Sequence, residues 1–237
     1  MSDWDALRKQ ELMNIYNYIF ALAGISKGCK VLDIGAGKTT EYLLNTGAEV
    51  VCLDTDREKL EALRNSKAKI VLGDVTSLPF IAKYFDLCVI GFVMHKIDPR
   101  LHAQVVKEMK RTSKAVLIIE KEPGFDALQR EYDTVWENAM RSIGRFEVYR
   151  DINYWAGLIE LLHPTTLKKR VYPRMAGISP KKADEFFTHL KNKWEGMGVS
   201  EEHIQHLDAI AEKVMAGGMR AHSILAVYAE FGESDGC

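Results

Sequence analysis

The residues best equipped for chemistry are a glycine pair beside an acid, two isolated aspartates and one histidine. The stretch Val31-Leu32-Asp33-Ile34-Gly35-Ala36-Gly37-Lys38-Thr39-Thr40 is an apolar run that breaks into Gly-x-Gly. Without a Cβ, glycine lets the backbone approach a ligand closely where a strand turns into a helix. Three ligand classes use such a turn. Gly37-Lys38-Thr39 imitates the end of a phosphate-binding P-loop, but that loop needs a glycine at position 32, which is Leu. A dinucleotide fingerprint needs a third glycine where Thr40 stands, and a carboxylate at Asp33 is unwelcome beside a pyrophosphate. The same carboxylate suits a ligand that carries an ammonium and a sulfonium. The glycines would also serve a tight turn that holds no ligand. Asp54 and Asp74 each close a further apolar run, where they could face a ligand or simply cap helices. His95 follows another such run, with a side chain whose ordinary pKa lies near neutrality.

The elements that must carry these residues follow from periodicity. Between Asp5 and Ile25 the apolar residues Leu12, Ile15, Tyr16, Ile19, Phe20 and Ala23 recur at three- and four-residue steps, the pattern of an amphipathic helix. Short apolar runs at Lys30–Ile34, Glu49–Leu53, Lys69–Leu72, Phe85–Phe92 and Ala115–Ile119 then alternate with helical segments. Gly47 is suited to stop the first of these helices, Asp56 to cap the next, and Asp98-Pro99 to start another. That alternation predicts an α/β fold with a Rossmann-like, mostly parallel sheet and helices on both faces. Later, Phe125–Ile143, Ile152–Leu162, Ser179–Glu195 and Ser200–Ala216 read as helices, with strands only at Leu167–Tyr172 and Ser223–Phe231. The expected organisation is a site-covering helix over 1–29, a ligand-binding core over 30–124, a mostly helical lid region with one late strand over 125–222, and a closing strand and tail over 223–237. The late helices form an insertion expected to lie over the site, and Gly232–Cys237 read as a loose tail.

Charge narrows the partners. Lys and Arg total 32 against 33 for Asp and Glu, a formal net charge of -1. Phosphate contacts dominate nucleic-acid affinity and usually leave a basic surplus, so this balance disfavours nucleic acid as a partner. Lys181, Lys182, Lys191 and Lys193 read as the solvated face of an amphipathic helix. Cys29, Cys52, Cys88 and Cys237 lack metal-ligand or redox spacing, and Cys52 and Cys88 fall in strand-like runs where a thiol acts as a small hydrophobe. No metal site is expected. No leader pattern and no membrane-length apolar run is seen, so the reading is a cytoplasmic protein without membrane contact. Nothing fixes its oligomeric state.

Four segments in register carry a family resemblance. Val31–Gly37 resembles the acidic-x-Gly-x-Gly motif of class I S-adenosylmethionine-dependent methyltransferases. Val50-Val51-Cys52-Leu53-Asp54 resembles the end of the family's second strand, with Asp54 placed 21 residues after Asp33. Leu72-Gly73-Asp74-Val75-Thr76-Ser77-Leu78-Pro79-Phe80 resembles its GD-x-x-x-LPF stretch, and Tyr84–His95 its fourth strand and following loop. Gly217–Ala229 looks like the closing strand of the ubiquinone/menaquinone-biosynthesis subgroup. Two departures stand out: Thr39 where the family often has a third glycine, and Lys96 where it has a second histidine.

The resemblance implies S-adenosylmethionine (SAM) as cofactor, held by Asp33, Gly35, Ala36, Gly37, Asp54, Thr55, Asp74, Val75 and Phe92. In the family the acid at the Asp54 position accepts the ribose hydroxyls and the one at Asp74 the adenine amino group. It also implies in-line methyl transfer, for which His95 is the candidate general base. Aromatic residues Tyr16, Phe20, Tyr132, Trp136 and Trp155 are the candidates for covering a small-molecule acceptor, although at helical spacing aromatics also build cores. The expected acceptor is a small molecule or a protein side chain, and an RNA methyltransferase and a non-catalytic SAM-binding module are the alternatives. The balanced charge and the absence of an Asn-Pro-Pro-Tyr-type loop at Gly91-Phe92-Val93-Met94 weigh against RNA.

Overall fold

The computed structural model describes residues 3–232, with side chains from Leu7 onward. Of the expected tail, everything after Gly232, Cys237 included, lies outside the described residues. The elements run α1 (Asp3–Leu22), β1 (Lys30–Ile34), α2 (Lys38–Asn45), β2 (Glu49–Asp54), α3 (Arg57–Ala62), β3 (Lys69–Leu72), β4 (Phe85–Gly91), α4 (His102–Thr112) and β5 (Ser113–Lys121). They continue with α5 (Ala127–Ser142), α6 (Ile152–Glu160), β6 (Thr166–Tyr172), α7 (Pro180–Gly196), α8 (Glu201–Gly217) and β7 (Ile224–Glu230).

The seven strands form one sheet in the order β3-β2-β1-β4-β5-β7-β6. β1 to β5 pair in parallel, while β7 runs antiparallel between β5 and β6. Period-2 alternation sends successive residues to opposite faces. Leu32, Cys88, Ile90, Val116 and Ile118 pack with α4 and α6 through Val105, Met109, Trp155 and Ile159. Val31, Leu87, Val89, Leu117 and Ile119 pack on the other face with α1 and α2 through Ile15, Ile19, Phe20 and Leu43. The expected three-layer α/β sandwich is therefore present. A separate core joins α5, α7 and α8 around Met140, Phe187, Trp194 and Ile210. α7 and α8 form the helical insertion between the two late strands.

The local signals act as anticipated at several ends. Gly47 follows α2 with a φ of 81°, in the left-handed region that favours glycine. Asp56 caps α3 by accepting from the backbone N–H groups of Glu58 and Lys59. The start at Asp98-Pro99 differs: it makes a 3-10 turn over Pro99–Leu101, and α-helical geometry begins only at His102. The buried His102 ring ties this start to the preceding turn, its Nε2 lying 3.0 Å from the Met94 carbonyl and 3.1 Å from that of Ile97. Among the described residues no helix is long and apolar enough to cross a membrane.

Candidate active site

The strand order reverses between β1 and β4, and ligands of open α/β sheets bind outside the carboxyl ends at such a reversal. Here the glycine loop and the end of β4 come together. Gly35 has a φ of 98° and donates its N–H to the Leu53 carbonyl at 2.8 Å. A Cβ on Gly35 would lie 2.4 Å from Val93 Cγ2, so the loop passes the β4 exit with no room for a side chain. Phe92, at that exit, is held with a φ of 57°, uncommon for a residue with a side chain. Thr39, the departure from a third glycine, is accommodated in return by Gly91. A Cβ there would meet Thr39 Oγ1 at 2.5 Å, and that hydroxyl bonds Tyr16 Oη at 3.0 Å.

The three aspartates have distinct surroundings. Asp54 Oδ2 accepts from the Ala36 N–H and Oδ1 from the Asp56 N–H, both at 2.8 Å. These bonds fix the carboxylate's direction and leave about two of its roughly four lone-pair sites for a ligand. Asp74 Oδ1 accepts from both the N–H and the hydroxyl of Thr76 at 2.7 Å, and Oδ2 has no partner among the described residues. Asp33 is fully buried beneath the loop. Its Oδ2 accepts from the Thr40 hydroxyl at 2.6 Å, while Oδ1 has no partner among the described residues. Burial, aided by the nearby charge of Asp54, pushes its pKa from 3.8 up to about 7.

Two cavities open from this rim. One, of about 530 Å³, is lined by Gly35, Ala36, Gly37, Asp54, Thr55, Asp74, Val75 and Phe92, eight of the nine residues expected to hold a cofactor. The exception corrects the sequence reading: Asp33 does not line the cleft but anchors the loop from below through Thr40. Its side chain points inward because it sits in β1, where the strand is covered on both faces. The second cavity, of about 490 Å³, is lined by Tyr16, His95, Tyr132 and Trp136. Both volumes lie within the range of about 300–1,000 Å³ typical of small-molecule sites. Tyr16, Lys38, Phe92 and Lys96 face both cavities and form their common wall.

Two expected acceptor-side aromatics lie elsewhere. Phe20 is in the sheet-facing core one turn beyond Tyr16, their ring centroids 5.5 Å apart. Helical spacing put both on one face, but only the residue nearer the loop reaches the rim. Trp155 is fully buried in the opposite layer, with its Nε1 donating to the Arg150 carbonyl at 3.1 Å. Its neighbour Tyr154 points away too, its hydroxyl 3.0 Å from His102 Nδ1.

His95 sits between two carboxylates. Its Nδ1 lies 2.7 Å from Glu120 Oε2 and its Nε2 lies 3.3 Å from Glu147 Oε2. Tyr149 stacks on the imidazole at 5.0 Å and donates its hydroxyl to Glu147 at 2.7 Å. Lys121 Nζ lies 3.4 Å from the centre of the Tyr149 ring, and burial lowers its pKa. The sequence reading missed Glu120, Glu147 and Tyr149. Glu120 had a signal, an acid at the carboxyl end of the apolar run Ala115–Ile119. Glu147 and Tyr149 lie in an irregular segment with no periodicity to mark them. Lys193 is exposed, as read, and also lines the second cavity, whereas Lys191 pairs with Asp208 and Lys182 with Glu185. Among the described residues no cluster of His, Cys, Asp and Glu could hold a metal ion.

Comparison with known proteins agrees with this geometry. Residues 32–116 match the family model described as Methyltransferase domain. A methyltransferase of Synechocystis sp. is 34% identical over 94 residues, covering 38% of this chain and 44% of that protein. The demethylmenaquinone methyltransferase of Corynebacterium efficiens is 31% identical over 115 residues, covering 46% of this chain and 50% of that protein. The chain thus spans about half the length of the curated relatives it matches. The solved structure of a SAM-dependent methyltransferase from Archaeoglobus fulgidus superposes with a TM-score of 0.59 at 17% identity, over 91% of this chain and 92% of that one. With the glycine loop, the acid at the end of β2 and the strand order all in place, residues 32–116 are similar to the Methyltransferase domain family, and the chain shares the fold of a solved SAM-dependent methyltransferase.

Proposed function

We propose that this chain binds SAM in the cleft between Gly35 and Asp74 and methylates a small molecule held in the neighbouring cavity. The observation that carries the reading is the common wall of Tyr16, Phe92, Lys38 and Lys96, which brings a cleft of small-molecule size at the glycine loop and a second chamber to one point. The residues present fit the cofactor. Asp54 is oriented by two backbone amides to accept from ribose hydroxyls, and the unpartnered Oδ2 of Asp74 suits an exocyclic amine. Above about pH 7, where the buried Asp33 is ionised, its carboxylate supplies negative charge under the loop for a cationic ligand. SAM supplies an electrophilic methyl group when bound.

What the chain's own residues contribute is orientation, dryness and a path for a proton. Orientation alone can lower a barrier by about 7–11 kcal/mol when reacting atoms are held in near-attack geometry. α1 and α7 cover the second cavity through Tyr16 and Phe186, limiting water. Where the acceptor must lose a proton, Glu147 and the His95 ring face the cavity, and Glu120 fixes the ring from behind. His95 with a carboxylate on each nitrogen is a proton relay whose base is shared with Glu147, an extension of the single-base role expected from sequence.

Incubation with labelled SAM and separate small-molecule, RNA and protein pools should transfer label to the small-molecule pool. Label in RNA with steep salt dependence would overturn the acceptor assignment, and tight binding without transfer to any pool would mark a non-catalytic module. With the acceptor in hand, His95→Ala should cut turnover about tenfold or more while leaving SAM affinity within about threefold. Unchanged turnover would remove the relay from the reaction.

A further inference from the structure

The second cavity is far more basic than the chain as a whole. Arg8, Lys121, Arg174, Lys193 and Arg220 line it without touching the cofactor cleft, and the one acid among its lining residues is Glu147. Glu147 is already engaged by His95 and Tyr149, and Lys121 is paired with Asp133. That leaves the other four cations with little to balance them. Among the described residues no carboxylate lies within ion-pair distance of Arg8, Lys193 or Arg220.

Arg174 is the most telling. Its side chain is 13% exposed, and its Nη2 is buried with no hydrogen-bond partner among the described residues. Among the described residues its one acidic neighbour is Glu11, whose Oε2 accepts from Nε at 3.4 Å, a long contact. Glu11 Oε1 is taken up by the backbone N–H groups of Met175 and Ala176 at 2.5 and 3.3 Å. The Arg8 charge also acts on Arg174, so two like charges share this end of the cavity. Leaving guanidinium donors buried and unpaired is costly, and a planar fork of donors is shaped for a carboxylate or phosphate. The rest of the lining is aromatic, with Trp136, Tyr132 and Phe186 beside the Tyr16–Tyr42 stack, whose centroids are 4.3 Å apart.

We infer that the methyl acceptor is a small organic acid, its anionic group held by Arg174 with Arg8 and Lys193 and its apolar body lying against Trp136 and Phe186. This rests on the methyltransferase reading above and narrows it, since an uncharged acceptor would leave the cations unanswered.

The test is calorimetry on protein saturated with S-adenosylhomocysteine, using 4-hydroxybenzoate, phenyl phosphate and the neutral isostere 4-hydroxybenzamide as probes. At least one anion should bind about tenfold or more tighter than the amide, and the better of the two tells carboxylate from phosphate. Arg174→Met should abolish that preference with S-adenosylhomocysteine affinity unchanged. Lys193→Met, an exposed helix position that folding tolerates, should reduce it about threefold or more. Equal binding of all three probes, no anion bound at millimolar concentration, or full preference in both variants would overturn the inference. Failure of the wild-type protein to bind S-adenosylhomocysteine would instead sink the methyltransferase reading itself.

Discussion

Alanine in place of Gly35 should weaken SAM binding on the order of a hundredfold, with the fold intact. Two costs combine. A φ of 98° is strained for any residue with a Cβ, at about 1–3 kcal/mol. The new methyl group would also sit 2.4 Å from Val93 Cγ2, forcing either Val93 or the loop to move, at a further cost of about 1–3 kcal/mol. Since each 1.4 kcal/mol is about tenfold in affinity, the sum spans roughly thirty- to twenty-thousandfold, and the expected value sits toward the lower end because Val93 can shift. Isothermal titration of SAM measures it, and circular dichroism checks the fold. The double variant Gly35→Ala/Val93→Ala separates the two causes. Relieving the contact should recover part of the affinity and leave the backbone strain in place. Full affinity in the single variant would mean that the loop does not pack against the β4 exit when ligand is bound.

The second large effect concerns Asp33, and its sign depends on pH. With a folded-state pKa near 7 against 3.8 in the unfolded chain, Asp33 holds its proton in the fold when the unfolded chain has already lost it. The penalty for a buried charge is absent below about pH 4. It grows as pH rises toward 7 and is complete above that, at up to about 4 kcal/mol given roughly 1.4 kcal/mol per pKa unit. Asp33→Asn is close in shape and its amide oxygen can still accept from Thr40. The variant should therefore match the wild-type protein in melting temperature near pH 4. At pH 8 it should melt higher by several degrees, at roughly 2–4 °C per kcal/mol for a chain of this size. The same change should weaken SAM binding at pH 8 about tenfold, because the buried negative charge under the loop is gone. Thermal melts at the two pH values decide the matter. A gap of the same size at both would show that Asp33 is ionised, or neutral, throughout.

These outcomes separate what a one-dimensional pattern carries from what it does not. Apolar runs at Lys30–Ile34 and Phe85–Phe92, each ending in glycine, announced buried parallel strands and the rim where they stop. Burial on both faces demands continuous apolar residues, and the turn at the rim demands glycine, so both leave local marks. Eight of the nine residues expected at the cofactor cleft line it for that reason. Asp33 missed by only one layer, because its spacing is the same whether the carboxylate faces a ligand or braces a loop through Thr40.

The second cavity left fewer marks. Helical periodicity placed Tyr16 and Phe20 on one buried face, yet which of them reaches the rim depends on where α1 crosses the sheet. Trp155 read as an aromatic beside a pocket, but α6 packs on the other side of the sheet. Glu120 meets His95 across 25 residues of sequence, and Arg174 meets Glu11 across 163. The sequence by itself determined the sheet, its rim and the cofactor loop, since those rest on the local requirements of strands and tight turns. Only the tertiary structure decided the His95–Glu120–Glu147 cluster and the basic lining of the second cavity. Both are made by side chains that are neighbours in space alone, supplied by the end of β5, the turn after β4, the segments after α5, β6 and α8, and the helices α1 and α7.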